Sequence, residues 1–285
     1  MTRVRSIKRS RLLSRTGRYA LLVFFGLVFF VPVYYLLVGS LRPGDKVLGG
    51  LSALVPSDLS LDNYAGVFNR FSNDTTGYVW QFAGVSLAVT AIVVLGGLLV
   101  NSLAGYALAR MKWRGRNIVL LLVTIMTIIP FEAVALPLYY MLSGQRNTLY
   151  VQALPFLANA FSIFLFYTYF LSIPVEVEEA ATIDGAGPVR TLFQVVAPMS
   201  LPAYATVAIL TFLGQWGQYL WPVLMITDTK LRPLPLELSV FQNAQPPEWG
   251  PVLAFGVLFV LPVLVVFLIF QRSFVASVAS SGVKG

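Results

Sequence analysis

The sequence predicts an all-α integral membrane protein with six transmembrane helices and both termini in the cytoplasm. Composition is the first reason. Mean hydropathy is +0.77, and only 11% of the 285 residues are charged, against about 25% in ordinary soluble domains. A soluble fold of this length has nowhere to hide so much apolar surface. The second reason is length: six apolar runs approach or exceed the roughly 20 residues that a spanning helix needs. The third is the uneven placement of Lys and Arg along the chain.

The first run, Tyr19–Leu41, follows a stretch, residues 1–18, that holds seven of the twenty basic residues. It is longer than the apolar region of about 7–15 residues in a signal peptide and ends in SLRPGD, so it reads as a retained span. The others are Val79–Ala109, Ile118–Leu142, Leu149–Leu171, Leu201–Thr227 and Pro251–Phe270. Pro130 and Pro137 predict a kink in the third. With the N-terminus inside, the inner segments 1–18, 110–117, 172–200 and 271–285 carry seven, four, one and two basic residues. The outer segments 42–78, 143–148 and 228–250 carry three, one and two, and no Lys or Arg falls inside a span. That bias puts both termini in the cytoplasm. The outer stretch Asp228–Gly250, rich in proline, reads as an irregular surface loop.

Cysteine and histidine are both absent. There is then no disulfide frame, no thiolate nucleophile and no Cys- or His-ligated metal. The net charge of +8 flanks spans rather than forming a nucleic-acid patch. No G-x-x-x-x-G-K-[ST] phosphate loop occurs. Ordinary hydrolytic or redox catalysis is not expected of this chain.

Residues 172–200 interrupt the apolar pattern with VEEAATIDGAG at Val177–Gly187. Pro174 suits a first helical turn. Glu176, Glu178 and Glu179 crowd the positive end of the helix dipole. Ala180 and Ala181 keep one face flat, and Gly185 and Gly187 stop the helix. Pro188 then starts a second short helix, Val189–Val196, which Pro198 and Pro202 end. A flat surface of small residues ringed by acids suits a helix that sits in another protein's groove. A plain solvated connection between spans is the competing reading.

The spacing Glu179-Ala180-Ala181, Gly185, then Val195-x-Ala197-Pro198 resembles the EAA loop of binding-protein-dependent ABC importer permeases, where the pattern closes in Ile-x-Leu-Pro. EEAATIDGAG is similar to the carbohydrate branch, specifically the maltose-transporter-type second permease. NYAGVF (63–68), AGYALARMKWRGR (104–116), IIPFEAVALPLYY (128–140), LPVLVVFLIFQRSFV (261–275) and the terminal GVKG resemble that branch in order along the chain. Val85-Ser86 and Trp216-Gly217-Gln218 stand where the family usually has Asn-Ser and Trp-Asn-Asp. The resemblance implies a basic cytoplasmic segment at 1–18 and a permease domain at 19–285. It implies an ATPase subunit dimer that binds ATP and Mg on separate chains, a second and different permease, and an extracytoplasmic solute-binding protein. This chain would bear no cofactor and lie in the cell membrane. Glu178, Glu179, Ala180, Ala181, Asp184, Gly185 and Pro198 would form the coupling element, with Glu179 making a salt bridge or helix contact. The loop at 228–250 would meet the binding protein, and the tail SSGVKG (280–285) the ATPase dimer.

Polar residues within spans are costly unless paired, and are expected to line a path or to bond helix to helix. Asn159, Gln215, Trp216, Gln218, Tyr219 and Glu132 are the path candidates, with Thr211. Asn101 and Ser162 read better as interhelical glue. GQWGQYLW (214–221) mixes amides with aromatic rings, as a sugar site requires, with Gln215 and Gln218 three apart on one helical face. Trp216 and Trp221 serve equally as interfacial anchors. Glu132 is the only acid in a span; it lines a path, caps the kink or pairs with a partner. Lack of basic residues in the spans favours a neutral sugar over a glycerophosphate ester. A secondary transporter, the rival class, needs more intramembrane ionisable groups and inverted repeats.

Overall fold

The computed structural model describes the backbone of residues 2–282 and the side chains of residues 17–270. The basic side chains of residues 1–16 and the tail at 280–285 therefore lie outside the described side chains or beyond the described backbone. The chain is mostly helical and divides into two compact units, residues 1–70 with 240–258 and residues 71–239 with 259–285.

In the first unit, α1 (Thr2–Ser40) leads into a short helix α2 (Gly44–Val47), a 3-10 turn at Gly50–Leu54 and α3 (Asp62–Arg70). Two tyrosines of α1 bond to this loop. Tyr34 Oη donates to Leu54 O at 3.0 Å and Tyr35 Oη to Val47 O at 2.9 Å. The NYAGVF run closes the other side. Asn63 Nδ2 donates to Ser40 O (2.9 Å) and Arg42 O (2.6 Å), and Tyr64 Oη lies 2.9 Å from Ser40 Oγ.

The second unit opens with a two-residue hairpin, β1 (Ser72–Asn73) against β2 (Gly77–Tyr78), antiparallel. Asn73 Oδ1 accepts from the backbone N–H of Thr75 and Thr76, which builds the turn, and Gly77 supplies its positive φ of +78°. Then follow α4 (Val79–Arg110), α5 (Arg116–Met126), α6 (Phe131–Met141), α7 (Leu149–Leu157), α8 (Ala160–Leu171), α9 (Val175–Ile183), α10 (Pro188–Thr191), a π-helical turn (Leu192–Val196), α11 (Ala197–Met199), α12 (Leu201–Trp216), α13 (Leu220–Met225), α14 (Leu234–Gln242) and α15 (Trp249–Gly282).

α4 is the central post, packed against α7, α8 and α12. Its close approach to α8 needs Gly105: a Cβ there would stand 2.6 Å from Phe166 Cβ and 3.1 Å from Tyr167 N. Tyr106, Ala109, Phe166, Phe170, Leu192, Val196 and Val207 form the core at this end.

Among the described residues, Gly17–Ser40, Val79–Arg110 and Trp249–Phe270 are long and apolar enough to cross a membrane. Three further pairs reach that length only when joined across a bend, of 106° between α5 and α6, 42° between α7 and α8, and 86° before α12. The first bend falls at Pro130, which caps α6 in extended geometry; Pro137 stays inside α6. The apolar run Leu201–Thr227, expected as one helix, is two, because Gly217 and the two residues after it leave helical geometry. The stretch 228–250 is also more regular than expected. A 3-10 turn at Thr229–Leu231 and α14 order it, pinned by Gln152 Nε2 donating to Leu231 O (2.9 Å) and Leu234 N–H donating to Ser86 Oγ (2.8 Å).

Candidate functional site

A cavity of about 340 Å³ lies among α4, α7, α8 and α12, at the small end of the roughly 300–1,000 Å³ typical of ligand sites. Asn159, Ser162, Thr211, Gln215 and Gln218 supply its polar lining, and Phe156 and Phe161 supply aromatic surface. Among the described residues, no Lys, Arg, Asp or Glu lines it.

Local structure explains these positions. α8 begins at the break after Leu157, where Asn159 is the N-cap: its Oδ1 accepts from Ser162 N (2.9 Å) and Oγ (3.0 Å). The break frees backbone groups that a bilayer does not solvate. Asn101 of α4, 1% exposed, satisfies both sides of it. Its Oδ1 accepts from Asn159 N (2.9 Å) and its Nδ2 donates to Leu157 O (3.2 Å). Asn101 thus acts as helix-to-helix glue, and Asn159 both caps a helix and lines the cavity.

Gln215 reaches the cavity from the last turn of α12. Gln218 reaches it from the non-helical step beyond, so the two are brought together by the break and not by a shared helical face. Trp216 turns away: it is buried, and its Nε1 donates to Phe259 O at 2.9 Å. Trp221 is likewise a core residue, donating to Val151 O at 2.7 Å, which removes both tryptophans from the role of interfacial anchors. Tyr219 is 47% exposed and Glu132 is exposed in the first turn of α6 after Pro130; neither lines the cavity. Sequence reasoning passed over Phe156 and Phe161, whose type gave no signal among 21 phenylalanines.

The interruption at 172–200 folds as a helix, a turn and a second helical segment. α9 ends in a Schellman motif: Ala186 N–H donates to Ala181 O (2.9 Å) and Gly185 N–H to Thr182 O (3.0 Å), with Gly185 at φ +78°. Gly187 is extended and caps α10 instead. Glu179, Ala180, Asp184, Gly185 and Pro198 are exposed, and Ile183 is 86% exposed. Ala181 is buried, so its small size serves packing within the chain. Glu178 also turns inward, within 2.8 Å of Arg110 Nε and 2.9 Å of Tyr106 Oη. The second segment is anchored: Leu192 and Val196, on the π-helical turn, are wholly buried in the α4–α8–α12 core. Arg110, which the sequence presents only as one of four cations in a basic turn, is the partner that charge counting alone did not single out.

Residues 101–280 match the family of binding-protein-dependent transport system inner membrane components. The chain is 33% identical over 258 residues to the arabinooligosaccharides transport system permease protein AraQ of Halalkalibacterium halodurans, covering 89% of this chain and 91% of that one. It is 32% identical to the diacetylchitobiose uptake system permease protein NgcG of Streptomyces coelicolor, covering 92% and 86%. Among solved structures it resembles a chain of a bacterial ABC transporter involved in the import of the acidic polysaccharide alginate, with a TM-score of 0.79 and 25% identity over 93% of this chain and 97% of that one.

Proposed function

Since the chain belongs to the family of binding-protein-dependent transport system inner membrane components, we infer that it is the permease subunit of an ABC importer that moves a neutral oligosaccharide through the cavity between α4, α8 and α12. The observation that carries the solute class is the lining: five uncharged polar side chains and two phenylalanines, with no ionised group among the described residues. Amides and hydroxyls exchange hydrogen bonds with sugar hydroxyls, and rings offer a platform for the C–H face of a pyranose. Relatives that transport arabinooligosaccharides and diacetylchitobiose support the same class.

In this reading α5 with α6, α7 with α8, and α12 with α13 are each one broken span, which with α1, α4 and α15 gives six, and the excess of Lys and Arg supports cytoplasmic termini. The solute arrives from an external binding protein. ATP is hydrolysed by separate ATPase subunits, beside a second permease, since this chain carries no phosphate loop. Exposed Glu179, Ala180, Ile183, Asp184 and Gly185 form the surface on which an ATPase subunit bears, and its closure moves the helices as rigid bodies.

The test is a reconstituted complex of this chain with its sister permease, ATPase subunits and binding protein, assayed with a radiolabelled arabinooligosaccharide. Gly185→Asp and Glu179→Lys are expected to abolish ATPase stimulation by loaded binding protein. Gln215→Ala is expected to raise the apparent KM for uptake about three- to tenfold, the value of one or two hydrogen bonds. Stimulation that survives both loop substitutions would sink the coupling role, and an unchanged KM would sink the sugar path.

A further inference from the structure

Glu178 carries a charge where a docking surface has no use for it. It points into the bundle and meets Arg110, the last residue of α4, with side chains only 14% and 10% exposed. Arg110 Nε stands 2.8 Å from Glu178 Oε1, an approach held by charge and not by an aligned hydrogen bond. The other carboxylate oxygen accepts from Tyr106 Oη at 2.9 Å, one turn back on α4. The far end of the same guanidinium serves α8. Arg110 Nη2 donates to Phe170 O at 2.6 Å and also to Ile173 O. Phe170 lies in the last turn of α8, its carbonyl also accepting from Ile173 N–H at 3.1 Å, and Ile173 lies just beyond, at the negative end of the helix dipole. A planar fork of donors can serve these carbonyls and a carboxylate at once, which an ammonium cannot.

We propose that Arg110, with Tyr106 and Glu178, is a positioning clamp that locks α9 to the ends of α4 and α8, so that a push on α9 reaches the cavity as one rigid displacement. The proposal rests on the coupling role given to α9 above. Its geometry is that of a lever. α8 runs 12 residues from its N-cap Asn159, in the cavity lining, to the clamped carbonyls, about 18 Å at 1.5 Å per residue. α9 itself is joined to the chain by short non-helical steps at 172–174 and 184–187. Ala181 packs α9 within the chain, and the Glu178 contacts add the polar tie to α4 without which these steps would act as hinges and absorb part of a push on α9. A largely buried ion pair resists partial opening, because separating it strands a charge away from water.

The chain has no cysteine, so spin labels can be placed on cysteines introduced at Leu103 on α4 and Ile183 on α9. In the assembled wild-type complex the label distance is expected to be single, narrow and the same without nucleotide and in an ATP-trapped state. With Arg110→Gln it is expected to broaden and to differ between the two states. Labelled arabinooligosaccharide moved per ATP hydrolysed is expected to fall about tenfold, and about threefold with Tyr106→Phe. Should Arg110→Gln fail to assemble, Glu178→Gln decides: it keeps the shape and removes the charge, and the same broadening is expected. A distance that stays narrow and nucleotide-independent in the assembled variant, with an unchanged transport ratio, overturns the clamp. If the wild-type complex itself shows no stimulated ATPase, the coupling reading fails instead, and the label distance still decides the clamp.

Discussion

Gly185 and Gly187 are two residues apart and look alike in the sequence, yet only one needs to be glycine. Gly185 sits at φ +78° with open space where a Cβ would stand, so the cost of a side chain is conformational, about 1–2 kcal/mol. Gly187 has φ −76°, which any residue adopts. Gly185→Ala is therefore expected to speed amide exchange across 175–186, while Gly187→Ala leaves it near wild type. The sequence legibly marked a helix stop; the sign of φ, which separates the two glycines, is not encoded in residue type. Glu237 on α14, 2% exposed, gives a second residue-scale test. Burial raises its pKa above 4.5, and Arg232, whose Nη1 is 3.5 Å from Glu237 Oε1, opposes the rise. A folded-state pKa above the unfolded one favours folding only where the acid is protonated. That contribution is complete below pH 4.5 and is lost as pH rises through the higher folded value. Thermal stability of Glu237→Gln is expected to decline less than that of the wild type over this window.

At the scale of elements, the breaks matter more than the helices. Leu149–Leu171 reads as one span because hydropathy is continuous across Ala158; the break is instead written in α4, at Asn101, whose amide closes it. Asn101→Leu is expected to leave Asn159 N–H and Leu157 C=O unpaired and to lower stability by about 1–3 kcal/mol, measured as the melting temperature in detergent. The bend at Pro130 was legible, since proline lacks the N–H to continue a helix. The end of α12 was not, since apolar content does not register Gly217. Gly105→Val tests the α4–α8 contact: with Phe166 Cβ 2.6 Å from the new Cβ, overpacking is expected to cost about 1–3 kcal/mol, and Gly105→Ala less.

At the scale of the whole molecule, a cysteine-free chain makes orientation simple to measure. Leu51 is 85% exposed in the loop after α1 and Ile183 86% exposed on α9. In intact cells a membrane-impermeant maleimide is expected to label Leu51→Cys, and to reach Ile183→Cys only after lysis; the reverse pattern would invert the topology. The membrane class and four of the cavity's five polar residues, Ser162 being the exception, were readable from hydropathy and in-span polarity, because the bilayer penalises each such residue individually. Pairings 68 positions apart, such as Arg110 with Glu178, are set by packing and leave no local trace. This pairing limits how far the permease can be treated as modular. A host that has no counterpart of Tyr106 and Arg110 would receive Glu178 in residues 172–200 as an orphaned carboxylate, and for such a host the smallest exchangeable cassette is a split one that includes both. Under the proposed coupling role, two transporters would trade ATPase partners only by trading both pieces.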